Sequence, residues 1–262
     1  MALESPGKKF AWNHVRMGVV IECLFNFLME TILLGKIKNE SDRIDGLIIK
    51  NMWSIIPYTV YFCIFDVALT HFHLKGVYYI LHAMHNIVVI ADVLRPPYNE
   101  MPVHTLDLVI GFHLYHIILY FKKLRCIDWA HHILMCGILV LIYYENIGGL
   151  PLRYSLFFTT GLPGLCDYTI LALERNGYMS NNCYRIFSKH INVWIRGPGC
   201  VIASFEIAKF GYYSLNHRHD LEKIACYFFA LLVFWNGCYF AMKAVEAEAI
   251  RIERQRFAGV CL

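Results

Sequence analysis

Apolar residues run through this chain in long blocks, with short polar stretches between them. Eight blocks approach the ~20 residues that a helix needs to cross a hydrocarbon core. They are roughly residues 15–35, 52–73, 76–94, 102–121, 127–147, 151–173, 190–214 and 221–245. The longest connections are 36–51 and 174–189, so the pattern leaves no room for a separate soluble domain, and no internal repeat is evident. The second and third blocks join at "HFHLKGVYY", which predicts a helical hairpin. The sixth is interrupted by "GLPG" (Gly161 to Gly164) and the seventh by "RGPG" (Arg196 to Gly199). Pro and Gly inside a span kink the helix and free backbone carbonyls, which is tolerable where neighbours or water satisfy them. The expected fold class is an all-α polytopic membrane protein of about eight transmembrane helices. Residues 1–75 would carry the N-terminal helices, 76–245 the main membrane domain, and 246–262 a short basic tail.

Composition agrees with the pattern. The chain is 58% hydrophobic and 17% charged, against about 25% charged in a typical soluble domain. Its net charge of +4 gathers at the ends of the blocks, which reads as membrane anchoring and not as a nucleic-acid-binding face. Seven of the ten cysteines lie inside apolar blocks, and no CxxC spacing occurs. They read as packing residues and give no sign of an oxidising compartment. The first apolar run lacks a small-residue cleavage site, so no removable signal peptide is expected.

Charge also orients the chain. With eight spans both termini share one side, which holds 14 Lys and Arg against 8 on the other, while Arg196 and Lys209 lie within the seventh block. The positive-inside rule therefore puts both termini in the cytosol.

With this threading, ionisable residues collect in one half of the membrane. Asp66, His71 and His73 lie in the cytosolic half of the second block, His82 and His85 in that of the third, and His116 in that of the fourth. Asp128, His131 and His132 open the fifth, Asp167 closes the sixth, and Arg196 enters the seventh. At 1.5 Å rise per residue, the histidine pair sits ~6–8 Å inside its helix end. Ionisable groups at membrane depth default to functional hypotheses, and their convergence predicts a polar cavity open to the cytosol. His131 and His132 point about 100° apart, so at most one faces a given ligand. Asp128 is three and four residues ahead of them and can bond a ring nitrogen of either, fixing a tautomer and raising basicity. The plainer alternative is an interfacial Asp–His cap. His82 with His85, and His113 with His116, are i,i+3 pairs suited to metal, to haem or simply to packing. Asp167 either serves the site or accepts from backbone groups freed at the GLPG break. Arg196 either binds a phosphate or carboxylate or snorkels to the interface. Glu22, Glu30 and Glu206 are isolated and read as structural, and Trp12, Trp53 and Trp129 as an interfacial aromatic belt.

The histidine pair at a span start resembles the TLC-domain family, which includes ceramide synthases and translocating-chain-associating membrane proteins. The resemblance rests on Asp128, His131–His132, Asn146 fifteen residues after His131, Asp167, and the aromatic-rich ending "FALLVFWNGCYFAMKAV". It covers residues 76–245. It implies six helices in a barrel around a long lipid-binding cavity, with a histidine at its depth in enzymatic members, and an endoplasmic reticulum membrane. Only Asp167 stands where ceramide synthases carry two close acidic residues, and Gly-Pro breaks replace a smooth helix, so sphingoid-base acylation is not specified.

The leading expectation is therefore acyl transfer to a lipid amine or hydroxyl, with acyl-CoA as co-substrate. His131, His132, Asp128 and Asp167 would be catalytic, and His116, Arg196, His85 and Asn146 would bind substrate. No metal and no other cofactor are expected, the partner is a membrane lipid or acyl chain, and homodimerisation is compatible. One alternative is a lipid-binding, sensing or transport protein without chemistry. Another, a metal or haem oxidoreductase, follows from the thirteen histidines, although their spacings do not form the HxxxH and HxxHH boxes of a di-iron desaturase.

Overall fold

The computed structural model describes residues 35–98, 103–144, 149–213 and 220–257, and among these every regular element is a helix. In order they are α1 (Gly35–His71), α2 (Val77–Val93), α3 (Val103–Tyr120), α4 (Cys126–Tyr144), α5 (Leu150–Leu156), α6 (Leu162–Arg175), α7 (Asn181–Ile191), α8 (Gly197–Tyr213) and α9 (Asp220–Phe257). Three helical stretches are long and apolar enough to cross a membrane: Trp53–His71, Leu150–Arg175 and Glu222–Phe257. Val77–Val93 is a shorter apolar helix. Helix covers every predicted apolar block within the described residues, whereas block 15–35 falls almost wholly outside them.

The helices outrun the hydropathy pattern at three places. α1 starts at Gly35 and so takes in the predicted connection 36–51. α9 runs through the charged segment after residue 245 as far as Phe257. Polarity ends an apolar block, but only a breaker or cap ends a helix. The connection 174–189 holds a third departure, the amphipathic helix α7. Its start is set by Ser180, whose hydroxyl accepts from the Cys183 backbone N–H at 3.2 Å, as an N-cap does.

At both Gly-Pro sites the helix widens instead of breaking. A π turn at Phe157–Gly161 precedes α6, and another at Asn192–Arg196 precedes α8. Leu162 donates its backbone N–H to the Phe157 carbonyl, and Gly197 donates to Asn192, each five residues back. Pro163 and Pro198 follow directly, each with no N–H to give to the i→i−4 ladder.

Packing relies on glycine at helix crossings. A Cβ on Gly164 would stand 2.5 Å from the Asn86 amide, one on Gly199 2.0 Å from the Phe158 ring, and one on Gly237 2.6 Å from Cys200. These approaches bring α6 onto α2, the π turn before α6 onto α8, and α9 onto α8. Where lipid is as apolar as leucine, such close contact supplies the association energy. The turn between α1 and α2 passes through His73 (φ 58°) and Gly76 (φ 69°). Asn176 holds that turn to the end of α6, donating to the Lys75 carbonyl at 2.8 Å and accepting from the Lys75 N–H. At the other end of α2, Arg153 donates to the carbonyls of Asp92, Val93, Arg95 and Pro97. Asp92 and Val93 hold carbonyls of the kind a helix C-terminus leaves open, and Arg95 and Pro97 belong to the loop that follows. α2 is thus fixed at both ends, and α2 carries two of the histidines.

Candidate functional site

Six histidines from three helices meet in one nest. α2 contributes His82 and His85, α3 His113 and His116, and α4 His131 and His132. The i,i+3 spacing on α2 and α3 turns each pair toward the same side. The His82 ring stacks on His116 with centroids 4.6 Å apart, and His85 stacks on Phe112 at 4.4 Å. His132 lies 5.1 Å from His113 and 5.3 Å from His116. His131 is exposed, while the other five are at most 9% exposed.

Hydrogen bonds assign the tautomers. His82 donates Nδ1–H to the Tyr78 carbonyl, and His113 donates Nδ1–H to Val109, both at 2.7 Å. His85 donates Nδ1–H to the Asn86 side-chain oxygen at 3.1 Å, and Thr160 donates to that same oxygen at 2.8 Å. In all three rings Nε2 is left with its lone pair. His85 Nε2, both nitrogens of His116 and Nδ1 of His132 are buried with no partner among the described residues. Buried polar atoms are almost always satisfied, so a group of unsatisfied ones points to chemistry or to a ligand.

Asp128 takes another role than the sequence spacing suggested. Asp128 does not bond either adjacent histidine. Arg125 holds its carboxylate through the backbone N–H at 2.9 Å and through Nε and a terminal nitrogen, both at 3.0 Å. The fork of a guanidinium fits a carboxylate better than one ring N–H does, and the pairing raises the Arg125 pKa above its usual value. Asp66 accepts from the hydroxyls of Tyr115 and Tyr120, the latter at 2.7 Å. Both tyrosines lie on α3 beside the nest, and Thr70 on α1 also donates to Asp66, at 3.4 Å. His71 and His73 are exposed at the α1–α2 turn and stay outside it.

Asp167 and Arg196 form a second polar group with Asn192, which sequence reasoning did not single out. Asn192 donates to Asp167 at 2.8 Å and accepts from Arg196 at 2.7 Å. The Arg196 guanidinium is 4% exposed, lies 4.0 Å from Asp167 and sits over the Phe240 ring. It is buried within the fold and does not snorkel. Tyr168, next to Asp167, packs its ring 4.1 Å from His82 and so joins the two groups. His113 belongs in the nest as much as His116; its i,i+3 spacing was the available signal. Asn146 lies outside the described residues. Glu206 pairs with Lys209 on the surface at 3.1 Å, in keeping with a structural role.

The fold and site define an all-helical protein with membrane-length apolar helices and a buried polyhistidine centre. No family model matches the chain, and no curated protein and no solved structure matches it.

Proposed function

We propose that this chain is a membrane-embedded enzyme that transfers an acyl chain from acyl-CoA to a lipid amine or hydroxyl at the histidine nest. The observation that carries the reading is the convergence of six imidazoles, three of which (His85, His116 and His132) hold buried ring nitrogens with no partner among the described residues. A neutral imidazole takes the proton of the attacking N–H or O–H as the new bond to the acyl carbonyl forms. The C–S bond then breaks, and the thiolate leaves with that proton as a free thiol. His131, the exposed member, is the approach side, and the buried His132 ring lies 5.5 Å from it. Arg196 offers a positive charge to a phosphate or to the developing oxyanion. The eight-span arrangement, the TLC-like barrel of six helices and the cytosol-facing endoplasmic reticulum location belong to this proposal. Charge bias and the family resemblance support them.

A second reading, a lipid-binding or transport protein without chemistry, is favoured by the close stacking of the inner rings. The two are separated by acyl transfer in proteoliposomes, using labelled acyl-CoA and a panel of lipid amines and alcohols. Wild type should transfer, and His131→Ala/His132→Ala should lose on the order of 10²-fold or more with helical content unchanged. Full activity in the double variant overturns the enzymatic reading. Stoichiometric bound lipid in both proteins, with transfer in neither, favours the second.

A further inference from the structure

His113, His131 and His132 each present a ring nitrogen, and these nitrogens all lie within 4.8 Å of one another. They come from two helices, which are pinned relative to each other by the ring contacts of the nest. The His113 tautomer is already fixed by its Nδ1–H bond to the Val109 carbonyl. That is how a metal-bound histidine is usually held, with the far N–H on a backbone carbonyl and the near lone pair free. His132 is 4% exposed, and its Nδ1 has no partner among the described residues. Beside it His116, 2% exposed, has no partner on either nitrogen. A histidine cluster held only for packing would leave these atoms unexplained.

We propose that His113, His131 and His132 form a three-imidazole site for a divalent transition metal, with zinc the best fit. Imidazole suits zinc, copper, nickel and iron, whereas magnesium and calcium require oxygen ligands, which the trio does not supply. Tetrahedral coordination at ~2.0–2.1 Å brings the nitrogens to ~3.4 Å apart, a closure that ring rotation supplies. Three protein ligands leave the fourth position open, as in catalytic zinc sites. This departs from the expectation of no metal, because spacing along the chain did not reveal that ring nitrogens of His113, His131 and His132 come within reach of a single ion. The site deepens the acyl-transfer reading and rests on it only for the role of the metal. A metal held by the trio would polarise an acyl carbonyl bound at its open position, and His116, whose ring nitrogens have no partner among the described residues, would stand beside it to take the proton.

The test is read without any substrate, so its failure and that of the acyl-transfer reading are separate results. Full-length protein in detergent is analysed for bound metal by mass spectrometry, then stripped and titrated with Co²⁺ while visible d–d absorption is followed. About one equivalent of metal and a tetrahedral Co²⁺ spectrum are expected. His113→Gln, His131→Gln and His132→Gln should each weaken Co²⁺ binding at least ~10-fold. His190→Ala, on the exposed face of α7, should leave it unchanged. If a variant misfolds, the wild-type spectrum still decides. No metal in the purified protein and no Co²⁺ band overturns the proposal, as does a band that survives all three substitutions in folded protein.

Discussion

At the residue scale, the nest depends on neutral rings held by carbonyl oxygens. Asn86 is 0% exposed, and its oxygen accepts from both His85 and Thr160 while its amide lies under Gly164. Asn86→Ala strands the buried His85 donor and removes the acceptor of the half-buried Thr160 hydroxyl; a buried unsatisfied group costs about 1–3 kcal/mol. Unfolding in mild detergent should show that loss, and an unchanged midpoint would mean that the Asn86 contacts carry no stability. The meeting of His82, His85, His116, His131 and His132 was legible in the sequence because threading put all of them at one depth. The partner of Asp128 was not. Asp128 is three residues from both Arg125 and His131, and spacing alone does not say that the guanidinium takes the carboxylate. Asn192 was equally hidden, because a neutral amide near a span end gives no charge signal.

At the element scale, hydropathy located the apolar stretches and missed helix ends. The segment 36–51 is polar and still helical, and α7 begins within the predicted connection 174–189 and ends just past it. The Pro-Gly pairs were visible, and a kink was the natural reading. The π turns that accommodate them depend on which carbonyl the preceding N–H reaches, and that is a property of the folded backbone. Gly199 gives this scale its test. A methyl there would stand 2.0 Å from the Phe158 ring at the crossing of α8 with the π turn before α6. Gly199→Ala should destabilise by about 1–3 kcal/mol through overpacking. Adding Phe158→Leu should recover part of the loss in thermal unfolding; a double variant less stable than Gly199→Ala would show the clash lies elsewhere.

At the scale of the whole molecule, large apolar side chains face outward, including Trp53, Ile64, Val67, Phe205 and Leu231. Together with three helices of membrane length, an apolar exterior around a polar nest inverts the usual soluble arrangement. Composition made this legible from the start. For acyl transfer to take place here, an acyl chain must reach this nest. Photo-crosslinking full-length protein in lipid, with an acyl probe whose diazirine lies near its carbonyl, tests it most directly. Adducts should map to α3 and α4 around His113, His116, His131 and His132. Adducts confined to outward residues such as Phe205 and Leu231 would contradict the claim.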